Sequence, residues 1–97
     1  MKMKRRQTIS VIIPTKNRPE SLLRVFRALH TQVPRVDEVV VVDTSDTAFQ
    51  RKTRMIVSSF PSMIIRYWKL SHSSASQARN FGIKRSKGDI LAFLDDD

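Results

Sequence analysis

The sequence predicts an α/β fold whose sheet is mainly parallel and is covered by helices on both faces. Four apolar runs of strand length alternate with segments of helical periodicity across the 97 residues: Ile9–Ile13, Val39–Val42, Met63–Tyr67 and Ile90–Leu94. The connections between them are short, as in folds built from alternating strands and helices. Val39–Val42 does not alternate with polar residues, which indicates a strand buried on both faces.

Three helices are expected between these strands. The first begins at Pro19, a residue favoured at the first helical position, and carries an apolar stripe of Leu22, Val25, Phe26 and Leu29. The second follows Asp46 as N-cap and runs over Thr47–Phe60, with an apolar face of Phe49, Ile56, Val57 and Phe60. The third runs over Ser74–Arg85, and small residues form its inner face: Ala75, Ala78 and Gly82.

The expected strand order is 3-2-1-4, and ligands of such sheets bind beyond the carboxyl ends of the strands, where the order reverses. Pro14–Arg18 follows the first strand and Asp95–Asp97 follows the fourth, so both segments fall at that edge, and Asp43 ends the strand next to the first. A basic tail is expected over residues 1–7. Residues 8–97 are expected to form an incomplete domain, because a doubly wound domain normally continues after its fourth strand.

The composition is basic and lacks cysteine. Eighteen Lys and Arg residues against nine Asp and Glu residues give a net charge of +9. A surface of this kind suits nucleotides, nucleic acid or an anionic membrane, although it is also compatible with a plain solvated surface. The absence of cysteine excludes disulfides and thiolate metal sites. No apolar run approaches the roughly 18 residues of a membrane span, so a cytoplasmic protein with at most peripheral membrane contact is expected.

Asp95, Asp96 and Asp97 form a D-x-D pattern directly after an apolar strand. Three adjacent carboxylates raise one another's pKa and oppose folding unless a cation lies among them. Mg²⁺ and Mn²⁺ prefer carboxylate oxygens and leave positions open for phosphate. The pattern therefore predicts a metal bridged to a diphosphate; the alternative is an acidic, solvated tail.

Three further segments could contribute to the same site. Asp43 could accept a hydrogen bond from a nucleobase or ribose, or simply form a turn. Thr15–Pro19 leads into a helix N-terminus, whose backbone N–H groups can bind anions, but it contains no glycine and is not a P-loop. Arg79 could pair with a diphosphate or stack on a base, or could be a surface residue.

Taken together, four segments resemble the family 2 glycosyltransferases, which have the Rossmann-like GT-A fold; the segments are Ser10–Arg18, Glu38–Asp43, Ala78–Gly82 and Gly88–Asp97. The resemblance covers about residues 8–97. It implies transfer of a sugar from a nucleotide donor, usually UDP- or dTDP-linked, with inversion at the anomeric carbon. It also implies Mg²⁺ or Mn²⁺ as cofactor and a saccharide or lipid-linked acceptor.

The resemblance further implies a role for each matching residue. Pro14 and Thr15 would line the nucleotide pocket, with Asn17 in the same nucleotide-sugar site. Asp43 would contact the base and Arg79 would lie near the nucleotide. Asp95 would face the ribose, Asp97 would bind the metal, and Asp96 would take part in both roles.

The sequence also departs from the family pattern. Lys16 stands where an aromatic residue is frequent, and Asp43–Asp46 lacks the second acid and the glycine of the usual Asp-Asp-Gly-Ser. The catalytic base is unknown and is expected beyond Asp97, so the 97 residues alone are expected to bind donor weakly and to transfer nothing. Two alternatives stay open: a catalytically inactive truncated remnant, or a basic nucleic-acid-binding α/β module.

Overall fold

The computed structural model describes residues 6–31, 36–71 and 73–96, in which strands and helices alternate. The elements are β1 (Ile9–Thr15), α1 (Pro19–His30), β2 (Glu38–Asp43), α2 (Thr47–Ser58), β3 (Ile65–Lys69), α3 (Ala75–Arg85) and β4 (Ile90–Phe93). β1 continues through Pro14, where the sequence predicted its end. The ladder tolerates this proline because β4 pairs with β1 only as far as Ile12 opposite Phe93.

All four strands are parallel and lie in the order β3-β2-β1-β4, which confirms the predicted topology. The order reverses between β1 and β4. The register places Thr15 beside Asp43 and Asp43 beside Lys69, so the polar ends of three strands lie at one edge of the sheet. This edge is where an open parallel sheet binds its ligands.

Helices cover both faces of the sheet, as predicted. On one face α1 and α2 pack against the sheet in a core that contains Val11, Ile13, Leu22, Phe26, Leu29, Val39, Val41 and Ile56. On the other face α3 packs through Ala78 against Ile12, Val40 and Val42. None of the helices within the described ranges is long and apolar enough to cross a bilayer.

The expectations for the second and third helices were wrong in part. Phe49 is 39% exposed, and Thr53 takes the inner position of α2 instead, with its hydroxyl donating to the Phe49 carbonyl at 2.9 Å. Phe60 lies beyond the end of α2 but still packs edge-on against Phe26. Ala75 is exposed because it is the first residue of α3 and extends beyond the strand ends into the crevice described below.

A polar network closes the opposite edge of the sheet. The buried Glu38 carboxylate accepts hydrogen bonds from the Ser10 hydroxyl at 2.6 Å, the Lys87 amide at 2.5 Å and Arg66 at 2.8 Å. Burial raises the pKa of Glu38, but these hydrogen bonds and the Arg66 charge outweigh it, so the pKa is lowered overall. Ser10 also accepts from the Gly88 amide at 2.8 Å, which fixes the turn before β4.

Candidate functional site

An open crevice of about 590 Å³ lies at the switch point between β1 and β4. It is lined by Pro14, Thr15, Lys16, Arg18, Thr44, Ser73, Ser74, Ala75, Ala78, Arg79, Asp95 and Asp96. The lining combines three cationic side chains with two carboxylates and a helix N-terminus. Such a surface suits a ligand that carries phosphates together with polar hydroxyl groups.

Asp96 is held beside the end of β1. In the register, Ile12 lies opposite Phe93. Asp96 and Thr15 each follow three residues later, so the two residues lie side by side. The Thr15 hydroxyl donates to Asp96 Oδ2 at 2.5 Å, and Asp96 is only 8% exposed. The first and fourth strand ends are therefore joined by a charge-assisted hydrogen bond at the floor of the crevice.

Asp95 and Arg79 face each other across the crevice. Arg79 Nη2 lies 3.8 Å from Asp95 Oδ1, and the Asp95 side chain is 71% exposed. An exposed ion pair of this length contributes little to stability. Both groups can therefore exchange this contact for contacts with a ligand.

Asp43 lies beneath the site rather than in its lining. Its carboxylate is fully buried and accepts from the Ser45 amide at 2.8 Å and from the Tyr67 hydroxyl. Burial, together with the hydrogen bond to Asp43 and its charge, raises the pKa of Tyr67 to about 12. Thr44, the next residue, lines the crevice where the sequence pointed to Asp43.

Asn17 also turns away from the crevice, although Lys16 and Arg18 on either side line it. Its side chain pairs with Asp46, and its backbone N–H donates to Ser45 Oγ at 2.8 Å. The structure thus brings Pro14, Thr15, Arg79, Asp95 and Asp96 together and leaves Asn17 and Asp43 one layer behind them.

Two contributors escaped the sequence reasoning. The sequence places Tyr67 only at the end of an apolar strand, and its hydrogen bond to Asp43 depends on a register between strands that no local pattern gives. Ser74 begins α3 with a capping box, in which its hydroxyl accepts from the Gln77 amide and Gln77 accepts from the Ser74 amide. The helix start at Ser74 was predicted, and the Ser-x-x-Gln spacing is a signal that could also have indicated the capping box.

The metal prediction depends partly on Asp97, which lies outside the described residues. Within those residues no three His, Cys, Asp or Glu side chains cluster as a metal site would require. Asp95 and Asp96 nevertheless present hard carboxylate oxygens at the crevice. Mg²⁺ and similar ions are commonly held by one or two carboxylates plus substrate phosphates, so this donor set fits such an ion.

Known proteins with similar sequences are glycosyltransferases. The model of the family described as glycosyl transferase family 2 matches residues 10–97. An uncharacterized glycosyltransferase of Haemophilus influenzae is 36% identical over 92 residues, and a dolichol-phosphate mannosyltransferase of Pyrococcus furiosus is 33% identical over 91 residues. Each alignment covers 92% of this chain but only 29% and 25% of the respective relative, so the chain spans less than a third of their length.

Solved structures share the fold. A mannosyltransferase of Pyrobaculum calidifontis, solved with GDP-Man and Mn²⁺, superposes with a TM-score of 0.83 at 24% identity over 96% of this chain and 28% of its own. Glucosyl-3-phosphoglycerate synthase of Mycobacterium tuberculosis, solved with Mn²⁺, UDP and glucosyl-3-phosphoglycerate, gives 0.74 at 23% identity, over 94% of this chain and 34% of its own. At these identities the likeness concerns the fold.

Proposed function

Because the chain belongs to glycosyl transferase family 2, we propose that its crevice binds the nucleotide-diphosphate part of a sugar donor. The observation that carries the proposal is the convergence of Thr15, Arg79, Asp95 and Asp96 at the switch point of a parallel sheet. Nucleotides are the ligands for which this position in an open α/β sheet is best known.

Each lining group has a chemical task in this proposal. Pro14 and Thr15 form the floor beneath the nucleotide. Arg79, with Lys16 and Arg18, offsets the charge of the diphosphate, and the guanidinium groups can bind phosphate oxygens bidentately. The exposed Asp95 carboxylate accepts hydrogen bonds from ribose hydroxyls. Asp43 contributes to base binding indirectly, because it positions the turn that carries Thr44.

We assign the metal to Asp96 and Asp97, as the sequence predicts. When bound, Mg²⁺ or Mn²⁺ would offset the negative charge that develops on the departing diphosphate. Thr15 keeps the Asp96 carboxylate oriented toward the strand ends by its hydrogen bond. Arg79, which also lines the crevice, contributes a second positive charge.

Transfer itself needs an acceptor and a base. We propose inversion at the anomeric carbon, in which a base removes the proton of the acceptor hydroxyl as the sugar is transferred. No described residue is assigned to that base. The acceptor is a saccharide or a lipid-linked molecule, and the donor nucleotide is UDP or dTDP. GDP is included in the experiment below because one structural neighbour was solved with GDP-Man.

Calorimetric titration of the 97-residue chain with UDP, dTDP and GDP, each with and without Mn²⁺, tests the proposal. We expect metal-dependent heat with at least one nucleotide, and a loss of affinity of about tenfold in Arg79→Ala because a charge-assisted contact is removed. Arg24→Ala, an exposed arginine on α1, is the matched control and should bind as the parent does. Absence of metal-dependent heat with every nucleotide would refute the proposal.

A further inference from the structure

We propose that Asn17 is a positioning residue that joins the turn after β1 to the turn after β2 and thereby shapes the donor crevice without contacting the donor. The inference rests on the proposed function, since it concerns the same crevice. It reassigns Asn17, whose family resemblance implied direct nucleotide-sugar binding.

The backbone of Asn17 is held in an unusual conformation. Its φ angle is 57°, in the left-handed region, and among the residues that the structure describes no other non-glycine residue has a positive φ. Asparagine tolerates this region better than most residues, but the conformation persists only where neighbouring contacts favour it. The contacts that favour it all come from the turn after β2.

Both ends of the Asn17 side-chain amide contact Asp46. Nδ2 donates to Asp46 Oδ2 at 3.0 Å, and Oδ1 accepts from the Asp46 backbone N–H at 2.9 Å. The Asn17 backbone N–H donates to Ser45 Oγ at 2.8 Å, and Ser45 is buried. The left-handed conformation thus directs the backbone and the side chain of one residue toward the same neighbouring turn.

The connection continues into the sheet. The Ser45 amide donates to Asp43, which Tyr67 holds from β3, and the Thr44 amide donates to the Thr15 carbonyl at 3.0 Å. Three strand ends are therefore linked through hydrogen bonds.

Crevice-lining residues flank these links on both turns: Lys16 and Arg18 on either side of Asn17, and Thr44 beside Ser45. Loss of the Asn17 contacts would change the separation of two cationic side chains from Thr44. Donor affinity should therefore depend on Asn17 although its amide is directed at Asp46.

An exchange of the two side chains tests this role. Asn17→Asp alone sets two carboxylates against each other and should weaken nucleotide binding by about tenfold. Asn17→Asp combined with Asp46→Asn restores a carboxylate–amide pair with the groups exchanged and the net charge unchanged, and should recover most of the affinity. Asp46→Asn alone completes the double-mutant cycle, in which a long-range charge effect would be additive and a direct contact would not.

Two variants guard against a general loss of folding. Asn17→Gly keeps the left-handed backbone without steric strain, removes the side-chain hydrogen bonds, and should weaken binding several-fold. Ser10→Ala removes hydrogen bonds at the opposite edge of the sheet and should lower the unfolding midpoint while leaving the affinity for nucleotide unchanged.

The outcomes separate the two proposals. If the parent chain binds no nucleotide, the proposed function has failed and this inference with it. If the parent binds nucleotide but Asn17→Asp and Asn17→Gly bind it as tightly as the parent does, only the positioning role is overturned. The same holds if the exchanged pair recovers none of the lost affinity. Recovery in the exchanged pair, with coupling of at least about fivefold, is the supporting result.

Discussion

Tyr67 and Asp43 form a hydrogen-bonded pair beneath the crevice. A carboxylate with no solvent exposure needs hydrogen-bond donors, and Asp43 receives them from Tyr67 and from the Ser45 amide. One of these donors comes from β3 and the other from the turn that follows Asp43 itself. The pair therefore ties the turn beside the crevice to the edge strand of the sheet.

Titration of the phenol tests this pair. Tyr67 is the sole tyrosine of the chain, so the ultraviolet absorbance of tyrosinate reports on it alone. We expect a midpoint at about pH 12, because burial and the Asp43 carboxylate disfavour the phenolate. Because the pKa of Tyr67 is raised in the folded state, its contribution to stability is complete below the unfolded value of about 10. This contribution is lost as the pH rises through about 12.

The control for this titration is Asp43→Asn, which removes the carboxylate charge and should lower the midpoint toward its ordinary value. Trp68 fluorescence, followed in the same samples, shows whether the chain is still folded. A midpoint near pH 10 in the parent chain, while it is still folded, would contradict the assigned hydrogen bond.

Asp43 also shows what the sequence could not predict at this scale. Its position at the end of a buried strand follows from Val39–Val42, and the structure agrees. Whether its carboxylate faces the crevice or the sheet depends on a tyrosine that lies 24 residues away and is brought near by β2–β3 pairing. Local pattern carries no information about that partner, so the sequence could not distinguish a direct contact with a base from the indirect role proposed above.

At the scale of elements, the small inner face of α3 decides how closely the helix approaches the sheet. Ala78 is buried against Ile12, Val40 and Val42. At Gly82 a Cβ atom would lie 2.5 Å from Ile12 Cγ2 and 3.4 Å from Val42 Cγ2. Because Ile12 is fully buried and β-branched, its methyl group has little freedom to move aside.

Overpacking of a filled core costs about 1–3 kcal/mol, whereas alanine in place of glycine stabilises a helix by about 1 kcal/mol. We therefore expect Gly82→Ala to lower the free energy of unfolding by up to about 2 kcal/mol. Chemical denaturation measures the difference. Asn80→Ala, at an exposed position of the same helix, is the control and should be neutral or slightly stabilising. A net stabilisation by Gly82→Ala would show that α3 does not lie against β1 as described.

The helices and strands themselves were largely predictable. The stripe of α1 and the continuous apolar run of β2 each have a single periodicity, and both are buried as expected. The predicted inner faces of the helices were wrong where burial depends on the position of a residue relative to the sheet and not on helical periodicity. Ala75 has the right spacing for an inner face, but it lies beyond the strand ends. Phe49 is exposed, and Thr53 occupies the inner side of α2.

At the scale of the whole molecule, the charges are sorted by element. Among the described residues of the three helices, Glu20 is the only acidic side chain, whereas the carboxylates of Asp43, Asp95 and Asp96 lie at or just after the carboxyl ends of strands. Cationic side chains from α3 and from the turn after β1 surround the crevice. An anionic nucleotide is attracted by the basic molecule, and at this edge it meets carboxylates that can accept hydrogen bonds from its hydroxyl groups.

The most direct test of a donor crevice at this edge is paramagnetic broadening of backbone amide resonances by Mn²⁺ added together with UDP or another nucleotide that binds. We expect broadening at Thr15, Arg79 and Asp95, and intact signals at Glu38 and Gly88 on the opposite edge of the sheet. Broadening confined to the outer surface of α2, where Arg51, Lys52 and Arg54 are exposed, or absent from the strand ends, would contradict a donor crevice at this edge.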